Sequence, residues 1–151
     1  VAVPTVEPVI ERITQHLFES VLAIKNDTGG NYWTAFRKVT RQPTPIGDVK
    51  EFHEAAVLDG DLVLESKPGG DLQVAFDNEI WAYARDPHNV SQVRTRLIRD
   101  VIVGVHVGRS RDGNAYDSRV VNVEHDKGLL TPVTWIIFTV RTSYRAQASE
   151  V

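Results

Sequence analysis

The stretch Leu130 to Tyr144 constrains this chain most, because it holds the densest run of strand-forming residues: Val133, Thr134, Trp135, Ile136, Ile137, Phe138, Thr139 and Val140. Side chains alternate along a strand. Ile136, Phe138, Val140 and Tyr144 therefore fall on one face, and Trp135, Ile137, Thr139 and Arg141 on the other. Both faces are apolar in the middle, and only one stays apolar towards the end. This predicts a central strand, covered on both sides at first, whose end runs out to solvent or to a partner. At about 3.3 Å per residue, Pro132 to Tyr144 spans roughly 43 Å, beyond the usual strand. Such a strand late in the chain needs a sheet already laid down before it.

The preceding chain supplies the rest of that sheet and two helices. Val1 to Val6 is a short, largely apolar arm. Glu7, Pro8 and Glu11 mark a helix start, with Pro tolerated in the first turn and acids favoured by the helix dipole. Ile10, Ile13, Leu17, Val21 and Ile24 recur at helical spacing, widened by Phe18 and Leu22, and the turn residues from Asn26 to Gly30 should end the helix near Asn26. Tyr32 to Thr40 alternates as a strand, and Arg41 to Asp48, with Pro43, Pro45 and Gly47, reads as a loop. Val49 to Val57 stays open between a helical turn and irregular chain. Ala56 to Glu65 and Leu72 to Arg85 read as strands joined by the turn Lys67-Pro68-Gly69-Gly70, with a hairpin or bulge expected at Asp77-Asn78. Asn89 is an N-cap candidate, with Gln92 completing a capping box. A second helix follows to about Val105. Val90, Val93, Leu97, Val101 and Ile102 form its buried stripe, and Arg94, Arg96, Arg99 and Asp100 its exposed side. Gly108 to Tyr116 is a polar loop, Ser118 to Glu124 a strand, and Ala146 to Val151 a polar tail. The expected fold is a single α+β domain over residues 1–151: a mixed, mainly antiparallel sheet with two amphipathic helices packed on one face, plus a hairpin and long loops.

The chain's 151 residues suit one domain with a real core. A net charge of -3 argues against nucleic-acid binding as the main activity. No apolar run approaches the roughly 20 residues of a membrane helix, so no membrane partner is expected, and no signal segment is expected either. The lack of cysteine excludes disulfides, thiolate chemistry and Cys-based zinc sites. With no Met in the chain, the numbering is expected to start after a removed initiator.

Chemistry-bearing motifs are weak. Glu124-His125-Asp126 places three metal-ligand types in a row, but successive residues diverge, so a solvated turn is the simpler reading. Asp59-Gly60-Asp61 lacks the spaced acids of a calcium loop, and His53-Glu54 lacks the second His of a zinc helix. No serine sits in G-x-S-x-G, and no phosphate-cradling glycine motif is present. Gly104 and Gly108 form a G-x-x-x-G that says little outside a membrane. No enzyme activity, metal or cofactor is expected.

The order of elements carries a resemblance. An amphipathic helix (ERITQHLFESVLAI) leads through a glycine turn to Tyr32; a second helix contains LIRDVIVGV; the last long strand reads TPVTWIIFTVRTSYRA. This layout, over roughly Val9 to Arg145, resembles the tail terminator, or tail completion, proteins of long-tailed bacteriophages. The resemblance implies an α+β structural virion protein, assembled in the host cytoplasm into a homo-hexameric ring at the head-proximal end of the tail. It also implies contacts with the tail tube protein, with a head–tail connector or head-closure protein and with the tape measure protein. DNA would pass through the ring without sequence-specific binding. The family has no catalytic motif to carry across. Another head–tail joining or minor tail protein, or a cellular α+β enzyme or ligand-binding domain, are the alternatives. Interface residues are expected on projecting loops: Pro43 and Pro45 in Arg41 to Asp48, Pro68 in Ser66 to Asp71, and Arg109 and Arg111 in Gly108 to Asp117, the arginines as polar anchors.

Overall fold

The computed structural model describes residues 6–25, 30–49 and 52–151. Helix α1 spans Val9–Leu22 and α2 spans Val90–Val107. The strands are β1 (Lys38–Thr40), β2 (Glu54–Ser66), β3 (Asp71–Arg85), β4 (Asp117–His125) and β5 (Val133–Gln147). They form one five-stranded sheet in the order β1-β2-β3-β5-β4. Only β1 and β2 run parallel; the other pairs are antiparallel. The fold is the expected α+β arrangement; the long last strand is an interior strand between β3, which is the middle one, and the edge strand β4.

The alternation of β5 decides where the core lies. Thr134, Ile136, Phe138, Val140, Thr142, Tyr144 and Ala146 are all buried, whereas the residues between them are partly or fully exposed. Register places Ile80 opposite Phe138 and Ala82 opposite Ile136, so one face of β3 continues the apolar face of β5. Both helices lie on that face. Leu17 and Val21 of α1 join Leu97, Val101 and Val105 of α2 in a single cluster with Ile80, Ile136 and Phe138. A second cluster carries Val9 and Ile13 over Val74, Phe76 and Tyr144, at the far end of the sheet. Burial pushes the Tyr144 hydroxyl up to about 12. The stripe of α1 is narrower than expected, since Leu22 is exposed.

Two glycines set how closely the helices meet. A Cβ on Gly104 would lie 2.9 Å from the Ile24 side chain, and one on Gly108 would lie 2.8 Å from the His16 ring. The G-x-x-x-G spacing, uninformative in the sequence, is therefore a contact between α1 and the end of α2.

Several expectations are corrected. Helix α1 stops at Leu22, before Asn26; the turn at 26–29 lies outside the described residues, as do residues 1–5 of the arm. Only Lys38–Thr40 of the expected strand Tyr32 to Thr40 is strand. The cause is Asp100, read as exposed but wholly buried. Its Oδ2 accepts the backbone N–H groups of Trp33 and Thr34 at 2.9 and 2.7 Å, so this segment is tied to α2 instead of to a ladder. The expected break at Asp77-Asn78 is absent from β3. Asn78 is fully buried and donates from Nδ2 to Thr14 Oγ1 and to the Leu58 carbonyl, which satisfies its amide nitrogen inside the strand, while its Oδ1 has no partner among the described residues. The irregularity sits on the facing strand, between Asp59 and Leu62. Asn89 does precede α2, but its side chain makes no cap; Asp86 Oδ1 instead accepts the N–H groups of His88 and Asn89. These bonds hold the Asp86 carboxyl below its usual range.

Candidate interaction surfaces

The sheet face opposite the helices has one partial cover. Pro43, Thr44 and Pro45 cross over Trp81, Tyr83, Trp135 and Ile137, leaving a largely apolar groove of about 450 Å³. Three contacts hold this strap. The Tyr83 hydroxyl donates to the Thr44 carbonyl at 3.0 Å, and the Thr44 hydroxyl donates to Glu54 Oε1 at 3.3 Å. Upstream, the Arg41 guanidinium grips both oxygens of Glu11 at 3.0 and 3.1 Å, tying the loop to α1. That grip lowers the Glu11 pKa. Burial, reinforced by the nearby Glu54 carboxylate, raises that of Tyr83. The indole of Trp81 donates to Glu79 Oε2 at 2.8 Å, so the polar edge of this aromatic patch is satisfied. Pro43 and Pro45 line this groove and are themselves exposed.

Pro68 lies at the tip of the β2–β3 hairpin and is exposed. Gly69 and Gly70 follow with φ of 85° and 83°, a left-handed pair that suits glycine. Leading to this tip, Leu62, Val63 and Leu64 are 38%, 64% and 51% exposed, the densest exposed apolar run among the described residues. Beyond Ala56 the outer side of β2 has no strand partner among the described residues.

The two candidate arginines separate. Arg109 is on the surface and pairs with Asp117 at 2.7 Å, which lowers the Asp117 pKa. Arg111 is fully buried and is not an exposed anchor. Arg111, Asp112 and Gly113 take φ values of 47°, 58° and 80°, and this left-handed turn directs the Arg111 side chain inward. Its guanidinium donates to the Val105 carbonyl, to Ser20 Oγ at 3.1 Å and to His16 Nδ1 at 3.3 Å. It closes the ends of both helices with hydrogen bonds and makes no ion pair among the described residues. Burial pushes its pKa down to about 10, which leaves it charged at neutral pH. Burial and then the Arg111 charge lower the His16 pKa.

A further surface escaped the sequence reading. Trp33 is 55% exposed, with the Arg96 and Arg99 guanidinium carbons 5.6 and 5.2 Å from its ring centroid. Two cations on one exposed indole form a compact cation–aromatic patch. The helical period placed the arginines outward; the Asp100 contacts to Trp33 and Thr34, with the Arg99 guanidinium donating to the Asn31 carbonyl, bring Trp33 to them.

Of the weak metal motifs, Glu124-His125-Asp126 resolves into structure. Asp126 is buried and accepts the Thr134 hydroxyl at 2.5 Å, while His125 Nδ1 accepts the Lys127 N–H at 2.9 Å. Among the described residues no group of three His, Asp or Glu is placed to hold a metal ion, and no helix is long and apolar enough to cross a membrane. Comparison of the sequence with protein-family models and with curated proteins finds no match.

Proposed function

We propose that this chain is a tail terminator of a long-tailed bacteriophage, a structural protein that closes the tail tube as a homo-hexameric ring and joins it to the head. The observation that carries the reading is the inequality of the subunit's surfaces. The aromatic groove beneath Pro43–Pro45, on the open sheet face, and the exposed Trp33 patch beside α2 differ in chemistry and in place. A closed ring needs such unlike surfaces, because each subunit meets its two neighbours through different patches. The layout of α1, the hairpin, α2 and the long β5 supports it too.

In this reading the tail tube protein, a head–tail connector or head-closure protein and the tape measure protein are the partners. DNA crosses the lumen without base recognition. Light scattering on the purified protein, alone and mixed with tail tubes, tests the ring: six times the 16.9 kDa chain mass is expected in at least one condition. A single-chain mass in both would overturn it. The second reading, a small-ligand-binding domain, rests on the 450 Å³ groove with its two Trp residues. Ligand-induced change in Trp fluorescence, with no binding to tails, would favour that reading.

A further inference from the structure

The two margins of the sheet are unequally defended. At β4, the Val120 N–H is taken by His106 Nε2 at 3.2 Å, and the ladder to β5 bulges between Val120 and Asn122. Bonds and bulges of this kind keep a sheet edge from pairing with another chain. At β2, β1 covers only Glu54, Ala55 and Ala56. After the irregularity at Asp59–Leu62 the strand continues to Ser66 in regular register with β3, its outer side unpaired among the described residues.

Alternation sorts what that edge presents. Leu62 and Leu64 lie opposite Phe76 and Val74, on the helix-covered face. Beside them a groove of about 470 Å³ runs along α1, floored by Pro8, Ile10, Leu62 and Phe76. Asp61, Val63 and Glu65 point to the other face, because side chains alternate. The surroundings are acidic. Glu7, Glu11, Asp59, Asp61 and Glu65 gather here; among the described residues Arg41 pairs with Glu11 and Asp59, and Lys67 with Glu65, which leaves Asp61 without an ion pair. A second copy is a poor occupant. The antiparallel register that sets Leu62-Val63-Leu64 against itself also sets Asp61 against Glu65 of the other copy, twice, and like charges directly opposite repel.

We propose that the outer edge of β2, from Leu62 to Ser66, is the docking site for an extended segment of a different protein, one that alternates apolar residues with Lys or Arg and adds to the sheet as a further strand. Its apolar side chains extend the Leu62–Leu64 face into the groove along α1. Its cations meet Asp61 and Glu65 on the opposite face. Main-chain bonds hold the segment, and the alternation selects it. The site stands whether or not the protein forms a ring.

The test uses two blocked probe peptides, one alternating Val with Lys and the other Val with Glu, added to the full chain while backbone amide exchange is followed by NMR. The Val/Lys peptide should bind and slow amide exchange within Asp61–Ser66. The Val/Glu peptide should bind about fivefold more weakly, the loss expected from two cross-strand charge pairs of mid-range strength. Asp61→Lys with Glu65→Lys, both at exposed positions, should invert that preference. The proposal is overturned if neither peptide binds, if both bind alike, or if protection maps elsewhere. It is equally overturned if these amides become protected in the protein alone as its concentration rises, since the edge would then belong to a second copy.

Discussion

The two faces of the sheet are built from the same strands and differ in what lies over them. On one, Ile80, Ala82 and Ala84 of β3 and Ile136, Phe138 and Val140 of β5 are all 0% exposed beneath the helices. On the other, Trp81, Trp135 and Ile137, their immediate neighbours in sequence, stay partly open under a strap of three residues. In the middle of the sheet hydrophobicity does not distinguish the faces, because the open one carries Trp81 and Trp135. What distinguishes them is cover. Small residues such as Ala82 and Ala84 suit the face on which helices settle closely, whereas a face left for contact keeps large side chains with something still to bury.

The largest effect should separate adjacent residues of β5. Phe138→Ala is expected to cost about 3–5 kcal/mol in urea unfolding, and Leu17→Ala and Leu97→Ala about 2–5 kcal/mol each. Ile137→Ala, on the open face, should cost about 1 kcal/mol, since less surface leaves water there on folding. Equal costs for Phe138 and Ile137 would erase the contrast. Next comes the tie that takes residues 33 and 34 out of the sheet. Asp100→Ala strands the Trp33 and Thr34 N–H groups and should cost about 2–3 kcal/mol, with loss of the Trp33 environment seen in fluorescence.

A smaller change should loosen the strap without touching the sealed face. Tyr83→Phe removes the bond to the Thr44 carbonyl and is expected to cost about 1 kcal/mol. Trp81 and Trp135 should then become more accessible to acrylamide quenching, with Phe138-side packing unchanged by NMR.

The pH dependence is gentler. Burial, followed by the charges of Arg111 and Arg37 respectively, lowers the pKa of His16 and His53 from 6.5. A group with a depressed folded pKa binds its proton more readily in the unfolded chain. Stability therefore falls as pH drops below about 6.5, and the fall ends once pH lies below the folded values. His16 adds a local reason, because protonating Nδ1 removes the acceptor for Arg111. Denaturation midpoints measured from pH 7.5 to 5 should decline, and His16→Gln with His53→Gln should flatten that slope. The smallest expected effect is Arg109→Glu, about 0.5 kcal/mol, because its pair with Asp117 is exposed and screened.

Periodicity made the sealed face legible in the sequence: the alternation of β5 and the 3.6-residue stripes of α1 and α2 name most of the buried side chains. It could not show where the chain is diverted by a single buried polar group. Asp100 lies three residues after Leu97, on the flank of the buried stripe, where its charge and not its position reads as exposed, and its two N–H partners lie in a segment whose alternation reads as strand. Arg109 and Arg111 looked equivalent because they share one polar loop. A left-handed turn, encoded by no residue more specific than Asp112-Gly113, sends one outward and the other inward. The exposed margin at Leu62-Val63-Leu64 had a readable signal: consecutive apolar residues cannot all face one core. Which edge of the sheet they lie on depends on strand order, which local pattern does not contain.

The central claim, that this subunit serves by assembling at the end of a tail tube, is tested most directly by electron microscopy of tails assembled without the protein, before and after purified protein is added. The account predicts a six-fold ring at one end of each tube, that end alone becoming able to join heads. Tubes that stay bare, or protein scattered along their length, would contradict it.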